Sequence, residues 1–350
     1  MSSLVRKDFA QINRERMLKA IAHQEPDRPP VALMVNAPYF SSYVNISIKD
    51  YYDDPKKMFE AQLAVRKRFY NLTPVWADGG VAVEPSALGG EIYWDTAGNP
   101  QVRPFINDLE DIDRLEVPDP KRDGWMPKQL ATYDFMLKNV ERGVKVDFGY
   151  MVIGPVTIAG MIRGMGKFMV DLFKNPDAVR KLLRICSDTD KVWAKAQENM
   201  VGETEYGVFV ADDAASFLTP KQFKNFVLPL YKEIYGMFPK CRRWYHNDMN
   251  STHILELLAE AGVEVFHIGY DVDMISAKSK IGDRVSLLGN IPPLEVLKIG
   301  TVQTVKEACT TLIQNMSEEG GFILSTGGFI NTGTPTENID AMIETVANHT

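Results

Sequence analysis

Four neighbouring side chains that can carry protons or bind a metal, Tyr245, His246, Asn247 and Asp248, sit within the stretch Cys241–Asn250. The segment in front of them, Arg242 to Tyr245, reads as a short strand. Behind them, Ile254, Leu255, Leu257 and Leu258 supply the apolar face of a helix that Ser251 or Thr252 is placed to cap. An imidazole and a carboxylate at a strand end suit general acid–base chemistry or ligation of a divalent cation. The C-terminal ends of strands are where parallel α/β proteins gather such groups.

Other strand ends offer further candidates. Gly207–Ala211 runs into the tandem carboxylates Asp212 and Asp213. Adjacent residues of an extended chain point to opposite sides, so one of the two is expected to face the site and the other to cap the next segment. Asp78 and Glu84 follow the second apolar run and are candidates for substrate contact or for completing a metal shell. Asn36, Tyr150, Tyr270 and Asn290 each close a strand, where a side chain either touches substrate or ties down a backbone turn. Asp248 itself has two readings, a site residue or the N-cap of the next helix. His253 and His267 fall in the bodies of a helix and a strand and read as packing or surface residues, and Cys241, at the far end of its strand, as buried and inert.

These positions require a scaffold that brings strand ends together. Apolar runs that fit strands buried on both faces occur at Val31–Val35, Pro74–Ala77, Val144–Tyr150, Gly207–Ala211, Arg242–Tyr245, Val263–Ile268, Val285–Leu288 and Gly321–Ser325. Helical patterns separate them. The alternation predicts an α/β fold, a (β/α)8 TIM barrel spanning 1–350 as a single domain, with its site at the strand C-termini. An N-terminal helical extension is expected at Asn13–His23, ending before the prolines of Pro26–Pro30. The Gly- and Pro-rich stretch Val81–Pro127 is expected to leave the barrel after strand two, with a β-hairpin around Ile92–Asn99, and to act as a lid or partner surface.

The formal net charge of -7 and the lack of any basic run argue against nucleic acid or an anionic membrane as partner. Three scattered cysteines suggest reduced thiols, and no stretch has the length and apolarity of a membrane span. The expected location is the cytoplasm. A homodimer is left open.

Several stretches together resemble the uroporphyrinogen decarboxylase superfamily: Asn13–Ile21 with Pro26–Pro30, Ile153–Gly160, Leu218–Phe223 with Val227–Tyr231, Leu287–Pro293 and Gly333–Asn338. Two branches of that superfamily matter. Its porphyrinogen decarboxylases grip substrate carboxylates with an arginine-rich loop after strand one, where this chain has Val35-Asn-Ala-Pro-Tyr39. Its corrinoid-dependent methyltransferases move a methyl group between a small substrate and the cobalt of a separate corrinoid (cobalamin) protein. Many of those hold zinc through His-x-Cys after strand five and a cysteine after strand eight; in this chain His246, Asp248 and Gly328 stand at these positions.

The resemblance therefore implies a methyltransferase, with a corrinoid protein as partner and a small methoxylated compound, an aryl methyl ether, as methyl donor. His246 and Asp248 would hold zinc or supply the proton that the leaving phenolate needs. Loss of both cysteines makes a thiol acceptor less fitting. A decarboxylase or other lyase acting on a small carboxylic acid, and a silent barrel kept as a binding module, are the alternatives.

Overall fold

The computed structural model describes residues 3–349. A short antiparallel pair, β1 (Ile92–Trp94) and β2 (Pro100–Val102), forms the expected hairpin, closed by Asp95, whose carboxylate accepts from the amides of Ala97 and Asn99. The main body is built around six parallel strands. They are β3 (Tyr150–Val152), β4 (Val208–Ala211), β5 (Arg243–Asn247), β6 (Val265–Ile268), β7 (Ser286–Ile291) and β8 (Phe322–Thr326), each paired with the next in chain order. Every residue of β4, β6, β7 and β8 is buried, as strands enclosed by helices on one side and by the barrel interior on the other must be.

The first two barrel positions are filled by extended chain that makes only single bridges. Val31 lies parallel to Leu324 of β8, and Val75 is bridged to Asp147 in the antiparallel sense. The physical reason lies in two amide side chains. Asn13, from the helix Ser3–Ile21, donates to the carbonyl of Val31 and accepts its N–H, both at 2.9 Å. Gln62, from the helix Pro55–Arg68, does the same for Trp76, again at 2.9 Å. Each amide satisfies the backbone groups that a neighbouring strand would otherwise pair. Prolines at positions 29, 30 and 74 remove further ladder donors. The barrel closes through these two stretches by side-chain substitution for a sheet edge.

Two expectations are corrected. Strand three begins at Tyr150 because Asp147 turns the chain first, accepting from the amides of Gly149 and Glu205 and the hydroxyl of Thr204. The helix after β5 starts at Leu255, with Ile254 in the cap position; neither Ser251 nor Thr252 caps it, and the Ser251 hydroxyl is buried without a partner. The excursion after strand two packs against the helix Pro155–Arg163 that follows β3. The amides of Phe105 and Ile106 bond the carbonyl of Ile162, and Arg163, buried with Asp171, reaches the carbonyls of Ile106 and Asn107. No helix among the described residues is long and apolar enough to cross a membrane.

Candidate active site

Strand register decides which side chains reach the barrel interior. On β5, Trp244 and His246 alternate with Tyr245 and Asn247. Tyr245 and Asn247 turn outward: the Tyr245 ring packs on Tyr231 of the surrounding helix Leu228–Gly236 and its hydroxyl donates to the carbonyl of Asp212. His246 turns inward, between Phe209 of β4, His267 of β6 and Phe329, which follows β8. Contacts from three separate strands place its ring inside the barrel near the C-terminal rim.

At this rim His246, Asp213 and Asp248 meet. One ligand atom from each lies within 4.8 Å of the others, the only such group of three histidine, cysteine or acidic residues among the described residues. His246 Nε2 is 3.7 Å from Asp213 Oδ1, and the same oxygen accepts the amide of Asp248 at 3.1 Å. His246 is buried, while the Asp213 side chain is 43% exposed, so the group spans from the interior to the mouth. Partial burial raises Asp213 above the usual carboxylate range; His246 opposes that shift and the charge of Asp248 adds to it. An imidazole nitrogen with two carboxylates is a donor set that fits a divalent cation with oxygen and nitrogen preference, without the thiolates of the usual zinc pattern. Gly328 lies beside it: a Cβ built there would stand 3.6 Å from Asp248 Cβ, so positions 248 and 328 are spatial neighbours.

A cavity of about 370 Å³ opens next to this group. Asp248 lines it, with Asn36, Pro38, Tyr270, Pro293, Lys298 and the segment Gly327–Thr332. All but Lys298, which ends the helical segment Pro293–Lys298, come from the chain past the C-terminal end of a strand position. Tyr270 is 46% exposed, and the side-chain amide oxygen of Asn36, Oδ1, is buried without a partner. Of the residues named from sequence, Asn36, Asp248 and Tyr270 thus line the cavity, and His246 and Asp213 stand with Asp248.

The other expected site residues lie elsewhere, and in each case a local bonding demand explains it. Asp212, fully buried, accepts from the amides of Val156 and Thr157, the Thr157 hydroxyl and the Tyr231 hydroxyl. It caps the helix Pro155–Arg163, which precedes it in the chain, and Gly154 lets it approach: with φ +74°, a Cβ at Gly154 would sit 2.6 Å from Asp212 Cβ. Burial pushes the Asp212 carboxyl up to about 7, against the pull of those donors. Asp78 accepts from the Tyr51 hydroxyl and the Gly80 amide. Glu84 is buried and accepts the amide of Ile153. Tyr150 heads β3 at the opposite end from the cavity, and its hydroxyl donates to the carbonyl of Gly202. Asn290 donates to the carbonyls of Gly269 and Val272, closing the turn after β6. Asp248 is no helix cap, since the next helix begins seven positions later, at Leu255.

Comparison with known proteins joins this architecture to a family. The family model described as uroporphyrinogen decarboxylase (URO-D) matches residues 13–349. The chain belongs to the uroporphyrinogen decarboxylase family. Curated relatives named uroporphyrinogen decarboxylase include those of Coxiella burnetii, 23% identical over 97% of this chain and 96% of its own length, and of Danio rerio, 24% identical over 99% and 97%. A third, from Pseudomonas aeruginosa, is 26% identical over 81% and 82%. Among solved structures, a methyltransferase from Methanosarcina mazei superposes with a TM-score of 0.79 at 24% identity, over 95% of this chain and 97% of that one; at this identity the likeness concerns the fold. Proteins named for decarboxylation and a structural neighbour named for methyl transfer thus stand at similar identity to this chain.

Proposed function

We propose that this member of the family is a cytoplasmic methyltransferase that takes a methyl group from a small methoxylated compound, an aryl methyl ether, and passes it to the cobalt of a separate corrinoid protein. The observation that carries this reading is the composition of the rim. The cavity beside His246, Asp213 and Asp248 has one cationic side chain in its lining, Lys298, and flat or apolar walls from Pro38, Tyr270, Pro293 and Phe329. A tetracarboxylate porphyrinogen would meet one positive group and two acidic ones, Asp248 and Asp213, an electrostatic mismatch. An uncharged methoxyarene meets surfaces on which its ring can stack.

Breaking an aryl methyl ether expels a phenolate, so its oxygen must be neutralised as the bond breaks. His246, Asp213 and Asp248 would hold a divalent cation such as zinc, which when bound supplies a Lewis acid to that oxygen. Asp248, the member that lines the cavity, sets how closely the oxygen can approach. Tyr270 and Phe329 hold the ring, and the open mouth leaves the methyl carbon accessible to the corrinoid of the partner protein. The methyl acceptor is the nucleophile, so no serine, cysteine or lysine nucleophile is required of this chain.

The test mixes purified protein with a reduced corrinoid protein and a panel of methoxyarenes, and follows the visible absorbance of the corrinoid. Methylation is expected with at least one of them. Metal analysis is expected to find about one zinc per chain in wild type and none in His246→Ala. The curated relatives favour one further reading, a decarboxylase acting on a small carboxylic acid. Carbon dioxide released without corrinoid, with no methyl transfer from any methoxyarene, would establish decarboxylation and overturn the methyltransferase reading.

A further inference from the structure

The register that brings His246 inward also sets it directly opposite His267 on β6. The two rings meet edge to edge, nearly coplanar at an interplanar angle of 25° with centroids 4.7 Å apart, and their Nδ1 atoms are 2.6 Å apart, a hydrogen bond in which one nitrogen must carry the proton and the other must present its lone pair. The third partner decides which is which. His267 Nε2 lies 2.8 Å from the carbonyl oxygen of Thr326, which can only accept, so His267 Nε2 carries hydrogen. His267 is 1% exposed and touches no carboxylate, so it has no stabilising partner for a second proton. Its Nδ1 is then the acceptor, and the shared hydrogen belongs to His246 Nδ1. In its neutral, cation-binding form His246 then presents a bare Nε2 lone pair on the side of Asp213, 3.7 Å away.

We propose that His267 is a positioning residue that fixes the tautomer and ring orientation of His246, so that Nε2 faces Asp213 and Asp248 as a ligand ready for a cation. The relay runs from Thr326 through His267 to His246 without leaving the barrel interior. Thr326 is itself held, its hydroxyl donating to the carbonyl of Gly328 at 2.6 Å, so the loop beside Asp248 and the orientation of His246 are tied to one residue. Left alone, a neutral imidazole would turn a nitrogen-bound hydrogen toward cations in part of its population; a fixed acceptor behind it removes that form. The functional consequence rests on the cation-assisted methyl transfer proposed above, whereas the tautomer itself does not.

The experiment therefore has two arms. In protein labelled with 15N-histidine and stripped of metal, long-range 15N–1H spectra should show His246 protonated at Nδ1 and bare at Nε2, its signals assigned by their loss in His246→Ala. Zinc affinity, measured by chelator competition, should fall 10- to 100-fold in His267→Leu, which fills the space but accepts no hydrogen bond. His267→Gln, whose amide can accept from His246 and donate to Thr326, should recover most of that loss. Spectra showing His246 protonated at Nε2 would overturn the proposal, as would zinc affinity in a folded His267→Leu equal to wild type. If His267→Leu does not fold, the wild-type spectrum and the Gln variant decide. Wild-type protein that binds zinc in the predicted tautomer yet methylates no corrinoid would sink the proposed function and leave the positioning role standing.

Discussion

Two sets of acidic side chains occupy the same barrel and do opposite things. Asp213 and Asp248 sit past the ends of β4 and β5 with an imidazole and an open cavity in front of them, and the Asp213 carboxylate accepts one hydrogen bond, from the Asp248 amide. Asp212 and Asp78 lie one residue or one strand away and are buried, with their oxygens taken by amides and hydroxyls of the scaffold. Position at a strand end does not separate the two sets. What separates them is whether the surrounding backbone has a claim on the carboxylate: a helix start that leaves amides unpaired will take the nearest one, and only a carboxylate with oxygens left over can serve a ligand.

The sharpest way to break this division is to exchange damage between its two sides. Asp212→Ala strips four buried donors of their acceptor and is expected to cost roughly 3 kcal/mol or more, lowering the melting temperature by roughly 6 °C. Asp213→Ala, one residue on, should change stability by less than about 1 kcal/mol. His246→Ala should show the reverse pattern in function, losing about 10²-fold or more in methyl transfer while the protein stays folded. Thermal melts and corrinoid absorbance on the three variants check this together. If Asp212→Ala melted like wild type and lost activity alone, the two sets would not differ in the way the bonding suggests.

A smaller effect of the same origin is expected at Gly154. An added Cβ would meet the Asp212 carboxyl at under 3 Å, and the positive φ disfavours any side chain. Gly154→Ala should cost about 1–3 kcal/mol through strain and a loosened cap, with KM and kcat of the folded fraction unchanged. Circular dichroism melts with parallel assays read both quantities.

How far the sequence could be read follows from the same logic. β4 to β8 were legible because a parallel strand enclosed by helices must be apolar on both faces, and each run stops at a polar residue where it leaves the sheet. The first two strand positions were legible as extended chain but not as bridges, because the substitution of Asn13 and Gln62 for a pairing strand depends on helices packed from distant parts of the sequence. Tyr150 was placed at the wrong end since Asp147 turns the chain within an apolar run. The alternation of Asp212 and Asp213 showed that one faces inward; choosing between them required knowing where the helix Pro155–Arg163 starts. His267 was read as packing although a signal existed. Tyr245-His246-Asn247 and Phe266-His267-Ile268 each place a histidine one residue before the last of its strand, and aligning strand ends would have paired the two.

The smallest effect concerns a buried pair that belongs to neither set. Glu84 and Asp190 are both raised by burial, the charge of Glu84 adds to the rise at Asp190, and neither Asp190 oxygen has a hydrogen-bond partner. A carboxyl that keeps its proton above the ordinary glutamate value of 4.5 makes the folded chain bind more protons than the unfolded one in that window. Stability then falls as pH rises above that value. Glu84→Gln removes one ionisation while its amide oxygen can still accept the Ile153 amide. The variant should match wild type near pH 5 and exceed it at pH 8 by on the order of 1 kcal/mol, a shift of about 2 °C in melting temperature. Curves that run parallel across that range would mean that the fold shoulders no buried-carboxyl strain at this position.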